Sequence, residues 1–295
     1  MISIIITAYK EEKTIGRAIE SILQEKIKEK VEIIVICPDK PTADVVKEYQ
    51  KKHKSILLLK DKREGKPAAL NQTFKKAKGD IIILTDGDVY IEKDAIKNLI
   101  MPFKDKNVGA VCGRPISTNS RDTMLGYWSH LLTDVGAHET RLRLSKKGKF
   151  IVCSGYLYAI RSGIVNEIPL NSLSDDAVIS SMIAKKGYKI QYSPKSLVYV
   201  KYPSNFKDWM AQKKRSTGGY LQIKELSGNN TTMRSFSKEA SNVLNVFSYS
   251  KNIKEFLWTI ILILVRLYMW LLIFYDQKIK KKSFEKIWVR IESTK

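Results

Sequence analysis

An α/β fold, a central and mostly parallel mixed sheet flanked by helices, is the class this sequence predicts, and three observations predict it. From residue 1 to about 116, short β-branched runs alternate with helical patterns, which implies a parallel sheet with helices on both faces. The first segment between runs places Ile15, Ala18, Ile19, Ile22 and Leu23 at helical spacing on one apolar stripe. The residues just after each run are polar and fall on one rim, where open α/β sheets bind their ligands.

The strands are expected in ISIIIT, VEIIVIC, SILLLK, DIIILT and VGAVCG. From about 117 to 204 the pattern loosens: a Tyr/Trp-bearing segment, a strand-like FIVCSGYLYAIR, the acidic turn SLSDDAVIS entering a helix, and KIQYSPKSLVYVKYP. This reads as an antiparallel, mixed extension of the same sheet. Residues 205 to 250 are amphipathic or irregular, and residues 256–275 then run 20 residues with Arg266 as their one charge.

A chain of 295 residues, 44% of them hydrophobic, can bury a substantial core as one large domain or a domain plus an appendage. A formal charge of +22 suits anionic partners such as phosphorylated substrates or lipid head groups, and also an ordinary Lys-rich surface. Cys37, Cys112 and Cys153 lack metal or disulfide spacing, so a reducing compartment is expected. The N-terminus has no basic region or cleavage signal, which argues against secretion.

Asp86 and Asp88 straddle Gly87 at the end of the fourth run. Such a pair can ligate a hard divalent cation while the glycine admits a diphosphate; it can also shift one pKa for acid/base work or form a plain turn. Asp175 and Asp176 open a helix after Ser174, suiting either helix capping or a general base. REGKPAALN lacks the pattern of a Walker A loop, yet Arg63 and Lys66 can face phosphate. QKKRSTGG, residues 212–219, sets cations beside two glycines, suited to a diphosphate or to a solvated helix face. His53, His130 and His138 are scattered and read as surface or core residues.

Taken in order, IIITAYKEE, GKPAALN, TDGDVYI, SDDAVIS and QKKRSTGG resemble the motifs of family 2 glycosyltransferases. The resemblance covers about residues 1–220 and implies the Rossmann-like nucleotide-diphospho-sugar transferase fold, acting with inversion. It makes residues 1–220 a catalytic domain, with a nucleotide half 1–116 and an acceptor half 117–220, and the apolar run at about 256–275 makes 221–295 a membrane-associated region. The resemblance places Ala8, Tyr9, Glu11, Asp39, Lys66 and Asp86 around the nucleotide sugar, and Asp88 on Mg²⁺ or Mn²⁺. Asp176 is the implied base, with Asp175, Gln212 and Arg215 serving acceptor and diphosphate. Three departures stand out: Lys10 where Asn is common, Cys37-Pro38-Asp39 in place of an Asp-Asp or Asp-Asn end, and Ser216 where processive synthases carry Trp. The last tilts the reading away from processive polymerisation.

The activity implied is transfer from a nucleotide-diphosphate sugar, a UDP-sugar by family frequency, to a hydroxyl of a lipid-linked or cell-surface glycan. Alternatives are a polyprenyl-phosphate sugar synthase, a nucleotidyltransferase, or a basic nucleic-acid-binding module; no groove-reading motif supports the last, so no nucleic acid is expected. Residues 256–275 are long enough to cross a bilayer core of about 30 Å. The basic segment DQKIKKKSFEKIWVR and the cytoplasmic donor both ask for the same side, so spanning, re-entrant and interfacial placements stay open. Membrane association on the cytoplasmic face is the expectation.

Overall fold

The first strand, β1 (Ile2–Thr7), is buried along all of its length and is the strand from which the sheet grows in both directions. The structure is a computed structural model that describes residues 1–227, 246–275 and 293–294. Its other strands are β2 (Val31–Cys37), β3 (Ile56–Lys60), β4 (Ile81–Asp86), β5 (Val89–Ile91), β6 (Val108–Ser117), β7 (Leu157–Arg161) and β8 (Lys189–Val200). They lie in the order β3-β2-β1-β4-β7-β6-β8-β5. The first four pair in parallel, β7 runs antiparallel to both β4 and β6, β6 pairs β8 in parallel, and β5 closes the edge antiparallel to β8.

Period-two alternation splits the apolar residues of β1 between two cores: Ile2, Ile4 and Ile6 face one, Ile5 the other. Helices α1 (Ile15–Leu23) and α2 (Lys40–Lys52) cover the first side, with Ile15, Ala18, Ile19 and Ile22 buried as the stripe predicts. The second side packs against α3 (Lys66–Phe74) and α7 (Asp175–Lys185). Between these come α4 (Ala95–Ile100), α5 (Met124–Leu131), a π-helical stretch Leu132–Glu139 and α6 (Thr140–Lys146). Two long helices follow, α8 (Phe206–Ser227) and α9 (Ile253–Phe274).

Three features depart from the sequence reading. The fifth run does not sit beside the fourth, because β7, from far along the chain, inserts between β4 and β6. Only Leu157–Arg161 of FIVCSGYLYAIR is a strand. Upstream, the Arg141 guanidinium takes the Val152 carbonyl, and the amides of Cys153 and Ser154 donate to Ser180 Oγ and Cys112 Sγ. With these backbone groups satisfied by side chains, this stretch stays buried without a ladder. The third is β5, a strand of three residues directly after the Asp-Gly-Asp stretch. The basic segment 276–290 lies outside the described residues.

A third core fixes α9 to the rest. Tyr127, Trp128 and Leu131 of α5 pack with Trp209 of α8 and Leu262 of α9. Polar contacts reinforce it: Arg121 donates to both carboxylate oxygens of Glu255 at 2.7 and 2.9 Å, Trp128 Nε1 donates to the Trp258 carbonyl at 2.8 Å, and Tyr127 OH pairs with Thr259 Oγ1 at 2.7 Å. Trp128 has no exposed surface and is tilted against Trp209 with ring centroids 5.1 Å apart. Trp128→Ala is expected to cost about 3–5 kcal/mol in urea unfolding, the usual range for deleting a fully buried large ring, and Trp128→Phe distinctly less.

Candidate active site

The chain builds β2 and β3 on one side of β1 and returns to place β4 on the other, so the crevice opens at the carboxyl ends of β1 and β4. There Thr7 and Asp86 are register partners, and Thr7 Oγ1 donates to Asp86 Oδ1 at 2.8 Å. A cavity of about 1200 Å³ begins at this point. Lys66, the first residue of α3, reaches in from the side: its Nζ lies 2.6 Å from Asp86 Oδ1 and 3.6 Å from Asp175 Oδ2. One ammonium thus joins the two acidic pairs. Desolvation opposes its charge, but Asp175 and Asp86 outweigh that and hold it well above the usual lysine range.

The second pair occupies the first turn of α7, where backbone amides favour carboxylates. Asp176 is clamped: Oδ2 accepts from the Gly155 amide at 2.8 Å, and Oδ1 accepts from the Ala177 amide at 2.8 Å and from Ser174 Oγ. Ser174 therefore braces Asp176 instead of capping the helix amides. Asp175 keeps only 15% of its side chain exposed. Burial pushes its carboxyl up to about 6; Lys66 pulls the other way, while Asp176 and Asp86 add repulsion. The two neighbours thus differ in character, one held by donors and one reluctant to ionise.

Opposite them, Gln212 and Arg215 stand one turn apart on α8 and line the cavity. Gln212 Nε2 reaches Tyr156 OH at 3.4 Å, and its buried Oε1 has no hydrogen-bond partner among the described residues. Of the two glycines that follow, Gly219 is required by packing. A Cβ on Gly219 would stand 2.4 Å from Ser174 Cβ, so α8 can approach the start of α7 only with glycine there. Gly87 is similar: a Cβ would meet Glu11 Oε2 at 2.4 Å and Ala8 Cβ at 2.9 Å. The glycine between Asp86 and Asp88 is thus dictated by the loop after β1.

Of the residues expected from sequence, Ala8, Tyr9, Glu11, Lys66, Asp86, Asp88, Asp175, Asp176, Gln212 and Arg215 all line this one cavity. Asp39 does not. It caps α2, accepting from the Thr42 amide at 3.1 Å and Thr42 Oγ1 at 2.6 Å, and takes the Lys10 amide at 2.8 Å. Asp61, just after β3, lines the cavity instead, its carboxyl raised by burial. Tyr156, beside the Gly155 amide, is also in the wall; nothing in its local sequence marks it. His130 and His138 bond the Asn119 carbonyl and Tyr192 OH away from the site.

Among the described residues no three His, Cys, Asp or Glu side chains converge on a metal-sized space. Asp88 lines this rim together with Asp86, whose Oδ1 is engaged by Lys66 and Thr7, and both carboxylates are hard oxygen donors. That donor set fits an Mg²⁺- or Mn²⁺-type ion that takes most of its oxygens from substrate phosphates and water.

Residues 1–219 match the family described as "Glycosyltransferase like family 2". YdaM of Bacillus subtilis, named as a probable glycosyltransferase, is 27% identical over 239 residues, covering 77% of this chain and 57% of that protein. The poly-β-1,6-N-acetyl-D-glucosamine synthase of Staphylococcus aureus is 25% identical over 228 residues, covering 74% and 54%. The chain thus spans little more than half the length of these curated relatives. Among solved structures, the Pyrobaculum calidifontis mannosyltransferase in complex with GDP-Man and Mn²⁺ superimposes with a TM-score of 0.64 at 18% identity, covering 97% of this chain and 82% of that one. S. aureus TarS 1–349 with UDP-GlcNAc gives a TM-score of 0.54 at 16% identity, covering 86% and 77%. These likenesses extend to the fold.

The raised Asp175 carboxyl has a measurable sign. The folded protein retains to about pH 6 a proton that the unfolded chain releases near the usual 3.8, so Asp175 makes stability fall as pH climbs through that window. Asp175→Asn removes this fall. Scanning calorimetry is expected to show the variant's Tm rising relative to wild type between about pH 4 and pH 6 and holding level above; a constant difference refutes the assignment.

Proposed function

The chain belongs to the family 2 glycosyltransferases, and from that premise we propose that it moves a sugar from a nucleotide-diphosphate donor, a UDP-sugar, to an acceptor hydroxyl with inversion. The acceptor is a lipid-linked or cell-surface glycan. The observation that carries this reading is the convergence of Asp86, Asp175 and Asp176 about Lys66, with Asp88, Gln212 and Arg215 lining the same cavity. An acid-rich crevice at the switch point of an α/β sheet suits a ligand that brings both phosphate and sugar hydroxyls.

In the proposed mechanism Asp176 takes the acceptor proton as the hydroxyl oxygen attacks the anomeric carbon and the nucleoside diphosphate leaves from the opposite face. The clamp by Gly155, Ala177 and Ser174 fixes the carboxylate for that role. Asp88 would hold a divalent ion, Mg²⁺ or Mn²⁺, and the chemistry such an ion would supply is neutralisation of diphosphate charge. Arg215 adds a fixed cation there, and Gln212 Oε1 offers an acceptor to a sugar hydroxyl. Lys66 orients Asp86 toward the nucleotide and Asp175 toward the acceptor side. Ala8, Tyr9, Glu11 and Asp61 form the nucleoside end; Asp61 takes the part that the sequence suggested for Asp39.

On this reading residues 1–220 are the catalytic domain, with 1–116 serving the donor and 117–220 the acceptor, and 221–295 holds the protein at the cytoplasmic face of a membrane. α9 is the one helix among the described residues long and apolar enough to cross a bilayer. Its contacts with α5 and α8 favour an in-plane placement. One face packs Leu262, Met269 and Ile273 inward, while Leu257, Leu264, Tyr268 and Leu271 stay exposed on the other. An apolar face flanked by Lys251 and Lys254 suits an anionic bilayer surface.

Asp176→Asn is expected to lower transfer about 10²–10⁴-fold, the usual worth of a general base, and Asp88→Ala to do so even at saturating Mn²⁺, with both proteins folded by circular dichroism. Near-normal turnover in either variant overturns the assignment. A thermal-shift panel of UDP-, GDP- and dTDP-sugars with and without Mn²⁺ names the donor, and release of nucleoside diphosphate, not pyrophosphate, separates transfer of sugar from transfer of nucleotide. The protein is expected to float with phosphatidylglycerol vesicles, and Leu264→Glu with Leu271→Glu to abolish flotation while leaving donor binding intact.

A further inference from the structure

Away from the two acidic pairs the cavity changes character. The π-helical stretch, α6 with the residues just after it, and α9 contribute no acid to the lining among the described residues, yet they contribute Arg141, Arg143, Lys147 and Arg266, and the π-helical stretch packs Leu132 and Val135 against Leu262 of α9. The acids come from the strand ends, the turns after them and α7. The donor side therefore calls for cations, and this side for an anion.

Arg141 is the decisive member. It is 5% exposed, and a guanidinium that cannot give up its proton must keep its charge when buried. No carboxylate among the described residues lies within ion-pair distance of it. Its partners are the carbonyls of Val152 at 2.9 Å, through Nε, and Cys153 at 3.5 Å, through Nη2. These engage two of its five donors. Its strongest electrostatic neighbours are the Cys112 thiol and the Tyr220, Tyr192 and Cys153 side chains, none of them a carboxylate. A buried charge held by carbonyl dipoles and weakly acidic thiol and phenol groups, with no carboxylate, is costly, and an anion brought by a ligand would complete it.

The position ties this cation to the reaction. The Cys153 amide donates to Ser180 Oγ, which donates to the Asp176 carbonyl, and Gly155 in the same segment holds the Asp176 carboxylate. Arg141 therefore stands on the base's side of the cavity, where the acceptor must lie. A π-helical stretch leads directly into its helix, and such turns often mark functional sites.

We propose that Arg141 forms a subsite for a phosphate group of the acceptor, and that the acceptor is an anionic amphiphile whose hydrocarbon lies along Leu262, Ile263 and Leu267 of α9. The proposal rests on the transferase reading and narrows it to lipid-phosphate-bearing acceptors. It assigns Arg141 a binding role, with proton removal left to Asp176.

The test uses the full chain, farnesyl phosphate, farnesol and inorganic phosphate, with binding followed by thermal shift and by tryptophan fluorescence. Wild type is expected to bind farnesyl phosphate at least about tenfold more tightly than farnesol and than inorganic phosphate, undisturbed by saturating UDP. Arg141→Gln is expected to erase the preference for the phosphate over the alcohol, Arg141→Lys to restore part of it, and both to keep the UDP shift. Were Arg141 only a brace for residues 152–153, Arg141→Gln would lower the ligand-free Tm and leave that preference unchanged, which overturns the proposal. Should Arg141→Gln fail to fold, Leu267→Asp decides: it is expected to weaken farnesyl phosphate and spare inorganic phosphate. Equal wild-type binding of phosphate and alcohol, equal binding of farnesyl and inorganic phosphate, or displacement by UDP each overturns it. Failure of every nucleotide sugar to bind counts against the donor reading alone, since the phosphate arm needs no donor.

Discussion

Lys66 between Asp86 and Asp175 is the contact on which the site depends. Four carboxylates facing one cavity repel one another, and a half-buried group cannot rely on water to screen that repulsion. Removing one partner of such a cluster leaves uncompensated charge, which typically costs several kcal/mol. The lysine also joins parts of the chain that are remote in sequence: the strand end of the sheet, the start of α3 and the start of α7. Folding of the sheet and assembly of the acidic site are thus coupled through one ammonium.

That contact sets what remains for a ligand. Lys66 is occupied by acids, so the charge of a donor diphosphate must be met elsewhere, by Arg215 and by an ion on Asp88 in the proposed mechanism. Close packing does the rest of the positioning. Gly87 lets the loop after β1 touch the turn between Asp86 and Asp88, and Gly219 lets α8 touch Ser174, which in turn braces Asp176. Small residues here fix acids in place by allowing backbones and side chains to meet, a role that local sequence cannot distinguish from admitting a phosphate.

Much of this was legible in the sequence because its causes are local. β1, β2 and β4 are apolar runs bounded by polar rims, α1 carries its stripe, and the two acidic pairs sit at a strand end and a helix start, where chemistry places them. What escaped depends on partners distant along the chain. β7 enters between β4 and β6 by tertiary pairing alone. Residues 150–156 read as strand by composition, yet Arg141, Ser180 and Cys112 supply the hydrogen bonds that a neighbouring strand would have made. Asp39 carried the right charge in the right place, but the threonine three residues on turned it into a helix cap. Asp61 lay in a segment already recognised as rim and lacked any feature to single it out.

The long apolar helix carries an arginine, Arg266, at its centre. α9 has two jobs on its two sides. Its outer face is bare hydrocarbon, and its inner side supplies both a wall and the Arg266 guanidinium to the cavity that holds Asp176. An acceptor meeting that wall therefore meets an element that also faces outward. If a bilayer covers the outer face, the acceptor end of the site lies one helix diameter, about 10 Å, from lipid. A water-soluble acceptor gains nothing from that proximity, whereas an amphiphile can keep its chain near the membrane while its head group enters beside Arg141. On the proposed reading the apolar helix, its central arginine and the cation-lined end of the cavity follow from one requirement, that a charged head group be drawn from an apolar phase to a fixed carboxylate.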